Sequence, residues 1–475
     1  MTRWFAVTAL AVVLSACGGT AAPVSAPPSS PLPKPASAAP AASSAAAQPA
    51  ASASAKPAAS AAGPPAASTQ PAASAAGGAI KIGVLAPLTG TTAEAGMNHR
   101  DGVNLYLEQV KNTMAGRAVE AVFVDSQGRA DTALTKAKEL VENQGVKVIV
   151  GFTLTPECYA VAAYVREAKV PMIVSDNCGA ANLTTDPRFA GPYVYRTTFN
   201  NQAQIGPFGD WAYDQGLRKV VLAVSDYAGG YEIGDAFAWS FGLRGGAIVQ
   251  EQYPALGTAD FGPFMAQLNR DVDGIFAFFP GADGLRWAQQ YADYGGGRKL
   301  QIMAGAGALA RDGNLDMLKD KAVGIVANDT WAESVDTPAN KTLLALHKQK
   351  FPNNRISSDV ANGYIVMQVI QSALEKVGGK IEDQEGFLKA LSATNIETAK
   401  GPVKFDQNRD VVENIYIYQI VKEGGDYTHK ILKTYKDVQQ FWDQPPEVVR
   451  KFPFGQMKNK WTGMTKDQIA QLGKS

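Results

Sequence analysis

The run IKIGVLAPLTGTTAEAGMNHRDGVNLYLEQV, residues 80 to 110, changes its periodicity halfway. Residues 80 to 85 form an apolar block of strand length, whereas Val103, Leu107 and Val110, with Met114 beyond, keep one face apolar at helical spacing. The same switch repeats along the chain. Apolar blocks at 119 to 124, 146 to 150 and 172 to 174 predict further strands, and so do those at 220 to 224, 275 to 279, 300 to 303 and 323 to 326. Asp131 is placed to cap a helix whose inner face is Leu134, Ala137, Leu140 and Val141. Pro156 suits the first turn of another, with Val161, Val165 and Ala168 facing inward. Strands that alternate with helices bury both faces of a parallel sheet. The pattern stops in an irregular stretch from 182 to 205 and restarts near Arg218, so the simplest account is α/β in two lobes.

The N-terminal part is of another kind. Arg3, an apolar core at 5 to 14, and the small residues Ser15 and Ala16 read as an export signal over 1 to 16. Its apolar core of about ten residues is half the roughly 20 a membrane-spanning helix needs. The sequence Leu-Ser-Ala-Cys resembles the bacterial lipobox, which implies that Cys17 is acylated and becomes the first mature residue. From there to residue 78 the chain is almost all Ala, Ser, Pro and Gly, with Lys34 and Lys56 as its only charges, so 17 to 78 is predicted to be a disordered tether. Fully polyproline-like it reaches roughly 190 Å, and as a coil roughly 45 Å. The remaining stretch of about 400 residues suits two or three packed units and has no apolar run long enough to cross a membrane. The formal net charge is +1, with acids and bases interspersed. Nucleic acid, which requires a concentrated basic face, is not an expected partner.

In open α/β sheets ligands collect beyond the carboxyl ends of the strands. The informative loops are therefore 87 to 96, 125 to 128, 151 to 158, 175 to 182, 225 to 234, 280 to 283 and 304 to 310, which are rich in Gly, Thr, Ser, Asn and Tyr and poor in His. The three histidines, His99, His347 and His429, are far apart, fit no metal-ligand spacing and read as exposed structural residues. There is no P-loop and no Gly-x-Ser-x-Gly elbow. Gly305, Gly307 and Ala310 spell G-x-G-x-x-A with Asp329 downstream, but residues 311 to 314 read as a turn where a dinucleotide fingerprint requires a helix. No cofactor, metal or catalytic constellation is expected, and binding is favoured over catalysis.

The opening run resembles that of the type I periplasmic binding proteins, specifically the branched-chain amino acid receptors of ABC importers. Further stretches resemble that family in order: VKVIVGFTLTPECYAVAAYVREAKVPMIVS (146 to 175), YVYRTTF (193 to 199), SDYAGGYEIGDAF (225 to 237), DTPANKTLLALHKQKFP (336 to 352) and GPVKFDQNRDVVENIYIYQIV (401 to 421). The resemblance implies two Rossmann-like lobes with parallel sheets, joined by three crossover strands and closing on a small ligand. The N-terminal lobe takes 79 to 198 and 328 to 400, the C-terminal lobe 199 to 327 and 401 to 430, and 431 to 475 is an extension. It also implies a ligand carboxylate held at Leu154 and Thr155 and at Ser175 and Asn177, with aromatics Tyr227 and Tyr231 from the opposite lobe. Two positions depart from the family: Ala306 stands where amino acid receptors carry the acid that pairs with the ligand ammonium, and Ala95 where they often carry an aromatic. An unpaired ammonium in a desolvated cleft is costly, so the expected ligand is an aromatic or branched acid without an α-ammonium, or a neutral amide. Glu94 or Glu157 as a substitute acid keeps branched-chain and other hydrophobic amino acids as the alternative. Cys158 and Cys178 fall at the same end of one sheet, either bridged or as two buried thiols. The expected role is an exported, monomeric receptor, lipid-anchored to the cell membrane facing the periplasm or exterior, that serves an ABC permease. An envelope sensor is the other use of the same clamshell.

Overall fold

The computed structural model describes residues 78–294, 300–309 and 311–474. The expected signal, Cys17 and the tether up to residue 77 lie outside the described residues. The first strand, β1 (Ile80–Ala86), leads into α1 (Ala93–Gln109), β2 (Thr113–Met114), β3 (Arg117–Asp125), α2 (Ala130–Lys138), β4 (Val148–Gly151), α3 (Thr155–Ala168), β5 (Met172–Val174) and β6 (Val194–Arg196). Then come α4 (Asn201–Asp214), β7 (Lys219–Val224), α5 (Ala228–Arg244), β8 (Ala247–Gln252), α6 (Gly262–Ala266), β9 (Gly274–Phe278), α7 (Ala282–Asp293), β10 (Gln301–Ala304), α8 (Asp312–Leu318) and β11 (Val326–Asp329). The chain continues through α9 (Pro338–Lys350), α10 (Ser358–Lys376), α11 (Gln384–Ser392), β12 (Asn395–Thr398), β13 (Gly401–Phe405), β14 (Val411–Glu423), β15 (Asp426–Val438), α12 (Pro446–Lys451) and α13 (Lys466–Ile469).

Among the described residues the strands form two sheets, ordered β2-β3-β1-β4-β5-β6 and β12-β13-β14-β11-β10-β9-β7-β8, with β15 paired to β14. β3, β1, β4, β5 and β6 run parallel, as do β8, β7, β9, β10 and β11, whereas β14 is antiparallel to β11. Both faces of each sheet are covered, which is why their strands read as unbroken apolar blocks. In the first lobe Ile82 and Val84 pack toward α1 and α10, while Leu85, Ile149 and Val174 pack toward α2 and α3.

Several local expectations are corrected. The strand expected at 323 to 326 begins three residues later because the chain turns at Gly324, at φ +91°. The stretch expected to be irregular holds β6 and the start of α4, which Asn200 caps by accepting from the amides of Gln202 and Ala203. Asp131 lies inside the first turn of α2, paired with Arg129, so the buried face is Ala133 and Ala137 followed by Leu140, with Leu134 and Val141 only half-buried. Ala168 is also half-buried. Residues 312 to 318 form α8 where a turn was expected, and the space beside Gly305 and Gly307 is filled by Phe276, Asp329 and Tyr418. The histidines are buried, not exposed: His99 bonds Ser175, and His347 and His429 stack on Phe351 and Tyr418. The expected boundary at 430 falls inside β15, so the segment that leaves the second sheet starts after Val438.

The chain passes between lobes after β6, after β11 and along β14, whose first residues pack in the first-lobe core and whose later ones pair with β11. Buried charges tie these passages together. Arg196 Nε lies 3.2 Å from Asp410 Oδ1, both fully buried, and its other nitrogens donate to the carbonyls of Phe199 and Ala180. Lys400 pairs with Glu413 and donates to the carbonyl of Thr197 at 2.5 Å.

Removing one partner of a buried pair strands the other charge. Lys400→Met is expected to destabilise by about 3–5 kcal/mol in chemical denaturation, and a loss below 1 kcal/mol would show that Glu413 is not desolvated. A pH dependence follows from the buried acids. Burial pushes Asp235 and Glu413 up to about 7, and Asp210, Asp329 and Glu157 up to about 6. A folded-state value above the unfolded one means the folded chain holds protons that the unfolded chain has released, so stability falls as pH rises from about 4 to 7. His99, drawn down to about 4 by burial, and His347, drawn down for the same reason, oppose this as two rings against five carboxyls. The thermal midpoint is expected to be higher at about pH 5 than at about pH 8; an unchanged or rising midpoint would contradict it.

Candidate functional site

Between the lobes, beyond the carboxyl ends of both sheets, lies a narrow cleft lined by residues of both. The first lobe contributes Thr92, Glu94, Ala95 and Asn98 from the start of α1, Thr153 and Leu154 ahead of α3, Asn177 after β5, and Ser357 and Asp359 at the start of α10. The second contributes Tyr227, Phe278, Pro280, Gly281, Ala306, Arg311, Gly313 and Asn314, and Phe199 comes from the first passage between lobes.

The backbone leading to α3 is tightly constrained. Gly151 has φ +114°, and a Cβ there would stand 2.2 Å from the carbonyl oxygen of Leu85, so only glycine fits. Phe152 follows at φ +73° with its ring fully buried. The chain thereby turns Thr153 and Leu154 toward the cleft. Their amides are not open to a ligand, however, because Glu157 Oε2 accepts both, at 3.1 and 2.7 Å. Glu157 thus serves the N-terminal turn of its own helix.

Arg311, the residue before α8, reaches across the cleft. Its Nη1 donates to Asp359 Oδ1 at 2.5 Å and its Nη2 to Asn177 Oδ1 at 3.0 Å, while its buried Nε has no hydrogen-bond partner among the described residues. Asn177 Nδ2 in turn donates to Asp359 and to Asp176 Oδ1, and Thr153 Oγ1 donates to Asp176 Oδ2 at 2.5 Å. Burial, with the Asp359 charge adding to it, holds the Asp176 carboxyl well above the usual range and raises Glu94. The Arg311 guanidinium is held firmly charged by Asp359 and Asp329 against the opposing effect of burial. Tyr227 and Phe278 stack with centroids 6.5 Å apart and form an apolar part of the cleft wall.

The lobes also touch outside the cleft. Glu232 of α5, fully buried, accepts from Tyr159 Oη, the Ala181 amide and Asn201 Nδ2 at 2.8, 2.8 and 2.9 Å. At Gly281, with φ +58°, a Cβ would stand 2.6 Å from the carbonyl oxygen of Thr91. The cleft is thus bounded from both lobes, and among the described residues lining it no nucleophile is aligned to a base.

Of the residues expected from sequence, Leu154, Asn177, Tyr227 and Ala306 line the cleft together. Thr155 is buried beside Gly229 and Tyr227 and does not line it. Ser175 is also displaced from it: its hydroxyl accepts from the Gly151 amide and pairs with His99 Nε2, which makes it a strut within the first lobe. Tyr231 turns away and donates to Asp226 on the outer side of its helix. Ala306 is held by its amide, which donates to Asn328 Oδ1. Of the two substitute acids, Glu94 faces the cleft and Glu157 does not. Cys158 and Cys178 form a disulfide across the loops that carry Leu154 and Asn177, with Cα atoms 6.6 Å apart and 20 residues of separation. A bridge closing a loop of that size stabilises by about 3 kcal/mol. Sequence reasoning missed Arg311, read as part of a turn one residue past the loop of interest, and Asp359, whose Ser-Ser-Asp context signals a helix start and nothing more.

The comparisons with known proteins agree with this geometry. The periplasmic binding protein family model matches residues 79–426. A Leu/Ile/Val-binding protein homologue of Brucella melitensis is 32% identical over 374 residues, 77% of this chain and 94% of the relative. A solute-binding protein of an ABC transporter from Rhodopseudomonas palustris BisB5, solved with 3,4-dihydroxybenzoic acid, is 30% identical with a TM-score of 0.71, covering 76% of this chain and 98% of its own. One from R. palustris HaA2, solved with p-hydroxybenzoic acid, has the same identity, TM-score and coverage. With two α/β lobes meeting at a cleft and the family model matching most of its length, the chain belongs to the periplasmic binding protein family, a family of solute-binding proteins and not of enzymes, as an extracytoplasmic ABC-transporter substrate-binding protein of the Leu/Ile/Val-binding kind.

Proposed function

We propose that this receptor captures an aromatic carboxylate of the hydroxybenzoate class and delivers it to an ABC permease, acting as a monomer that is lipid-anchored through Cys17 and reaches the permease on its Ala/Pro/Ser-rich tether. The carrying observation is Arg311, the one cation among the described residues lining the cleft, which shares that cleft with the Tyr227 and Phe278 rings. A guanidinium offers five N–H donors in a planar fork matched to a carboxylate. Asp359 and Asn177 take two of them in the hydrogen bonds above, which leaves capacity for a ligand carboxylate. The aromatic wall provides a face for a ring, and Glu94, whose carboxyl is raised by burial and by Asp359, is suited to donate to a ligand oxygen. Leu154, Asn177, Tyr227 and the Ala306 backbone complete the proposed site. The two R. palustris solute-binding proteins, solved with 3,4-dihydroxybenzoic acid and p-hydroxybenzoic acid, support this ligand class.

A second reading rests on Glu94 and Asp359 facing the same space. Two acids beside one arginine also suit the ammonium and carboxylate of a hydrophobic amino acid.

Calorimetric titration separates the two. 4-Hydroxybenzoate and 3,4-dihydroxybenzoate are expected to bind and leucine and valine to remain silent; the reverse pattern overturns the preferred ligand class. Arg311→Met is expected to weaken aromatic acid binding about 100-fold, which corresponds to about 2.7 kcal/mol, and an unchanged affinity would remove the arginine from the site. For the anchor, Cys17→Ala is expected to move the exported protein from the membrane to the soluble fraction, and retention on the membrane would exclude lipidation at this residue.

A further inference from the structure

Tyr231, expected at the ligand, instead marks a contact that the family resemblance does not explain. The family match ends at residue 426, and the segment after Val438 lies beyond it. That segment folds back along α5. Phe452 stacks on Trp239 with centroids 4.1 Å apart, and the Trp461 indole and the Gly455 amide both donate to Asp235, each at 2.7 Å. One acceptor fixes the next turn: Glu251, itself held by Tyr253 Oη at 2.6 Å, takes the amides of Asn459, Trp461 and Thr462, each at 2.9 Å. The turn so fixed carries Lys458. Its ammonium pairs with Asp226, lies 3.3 Å from Tyr231 Oη, and stands 5.2 Å from the ring centroids of both Tyr231 and Tyr253. Asp226 also accepts from the Tyr231 hydroxyl, and its amide donates to the carbonyl of Pro254 at 2.8 Å.

Between Asp226 and Tyr231 sits Tyr227, which caps α5 and forms the cleft's aromatic wall. The amide of Tyr231 donates to the carbonyl of Tyr227 at 3.0 Å, so the first turn of α5 transmits any shift of Asp226 or Tyr231 to Tyr227. We infer that the C-terminal segment is a brace for the cleft, and that Lys458 is a positioning residue that sets the Tyr227 wall, and with it ligand selectivity, by pinning Asp226 and Tyr231 from outside. The selectivity part rests on the cleft being the ligand site; the pinning does not. The pair is partly solvent-exposed, with side chains 35% and 34% accessible, so its removal should leave global stability nearly intact while releasing the loop.

Two readouts on the full chain test this. In hydrogen exchange, Lys458→Met is expected to speed exchange across 226 to 231 about tenfold with the first-lobe strands unaffected, and Lys458→Arg to restore the wild-type rate. In binding, the ratio of affinities for 4-hydroxybenzoate and benzoate is expected to change about threefold or more in Lys458→Met, while the thermal midpoint moves by no more than about 2 °C. Unchanged exchange in Lys458→Met overturns the brace whatever the binding result. Faster exchange with an unchanged affinity ratio overturns the selectivity role. If wild-type protein binds neither the two benzoates nor leucine, the proposed function and the selectivity role fall together, and the exchange measurement still decides the pinning.

Discussion

Two buried ion pairs at the passages between lobes, Arg196 with Asp410 and Lys400 with Glu413, govern how the halves of this molecule can sit. Such pairs are poor sources of net stability, because taking both charges out of water offsets most of their attraction, and a well-packed apolar substitute is often equally stable. What they contribute here is a single geometry. Arg196, at the end of β6, must satisfy Asp410, Phe199 and Ala180 at once, and Lys400, ahead of β13, must reach Glu413 and the Thr197 carbonyl. Since these partners come from passages far apart in sequence, the charges register one passage against another. Residues on different sheets thereby reach the cleft in a fixed relation.

That fixed relation gives Arg311 its meaning. The residue belongs to the second lobe and its partners Asn177 and Asp359 to the first, so the same guanidinium that faces the cleft also ties its two walls. The surrounding carboxyls do not simply cancel its charge. Asp176 is pushed toward its neutral form by burial and Glu94 is shifted the same way, whereas the Asp359 carboxylate bonds directly to the arginine. The charge Arg311 presents to the cleft is therefore set by its direct bond to Asp359 and by neighbouring acids whose charged forms burial disfavours.

How much of this could be read from sequence follows from the range of the interactions involved. The alternation of strands and helices was legible because fully covered parallel strands must be apolar throughout, and β1, β3, β5, β7 and β9 lie within a few residues of their expected places. Leu154, Asn177, Tyr227 and Ala306, which the family resemblance put forward, line the cleft, and each sits in the first few residues after a strand. Thr155, Ser175 and Tyr231 fall in the same loops but do not line the cleft, because a loop's position does not say which way a side chain turns: Ser175 is claimed by His99 and Gly151, and Tyr231 by Asp226. Asp359 begins a helix about 180 residues away in sequence from Asn177, and only the folded topology brings them together. The brace was illegible for the same reason, since Glu251 and the 459 to 462 turn are linked by backbone amides that any sequence would carry.

The distribution of contacts across the cleft bears on how a guest can close it. A ligand shifts an equilibrium between open and closed forms only by the difference in its affinity for the two. Contacts such as Glu232 with Tyr159, or Arg311 with Asp359, stabilise closure without any guest and so reduce the difference a guest must supply. If the guest had to displace Asp359 to reach Arg311, it would forfeit part of that help, since an interlobe bond would be lost for each one gained. Arg311 gives one N–H of Nη1 to Asp359 and one of Nη2 to Asn177, which leaves the second N–H of each, so a carboxylate can be added to the interlobe bridge without breaking it. A guest bonded to a bridge that exists only when the jaws meet binds the closed form selectively, which is the condition for capture by closure.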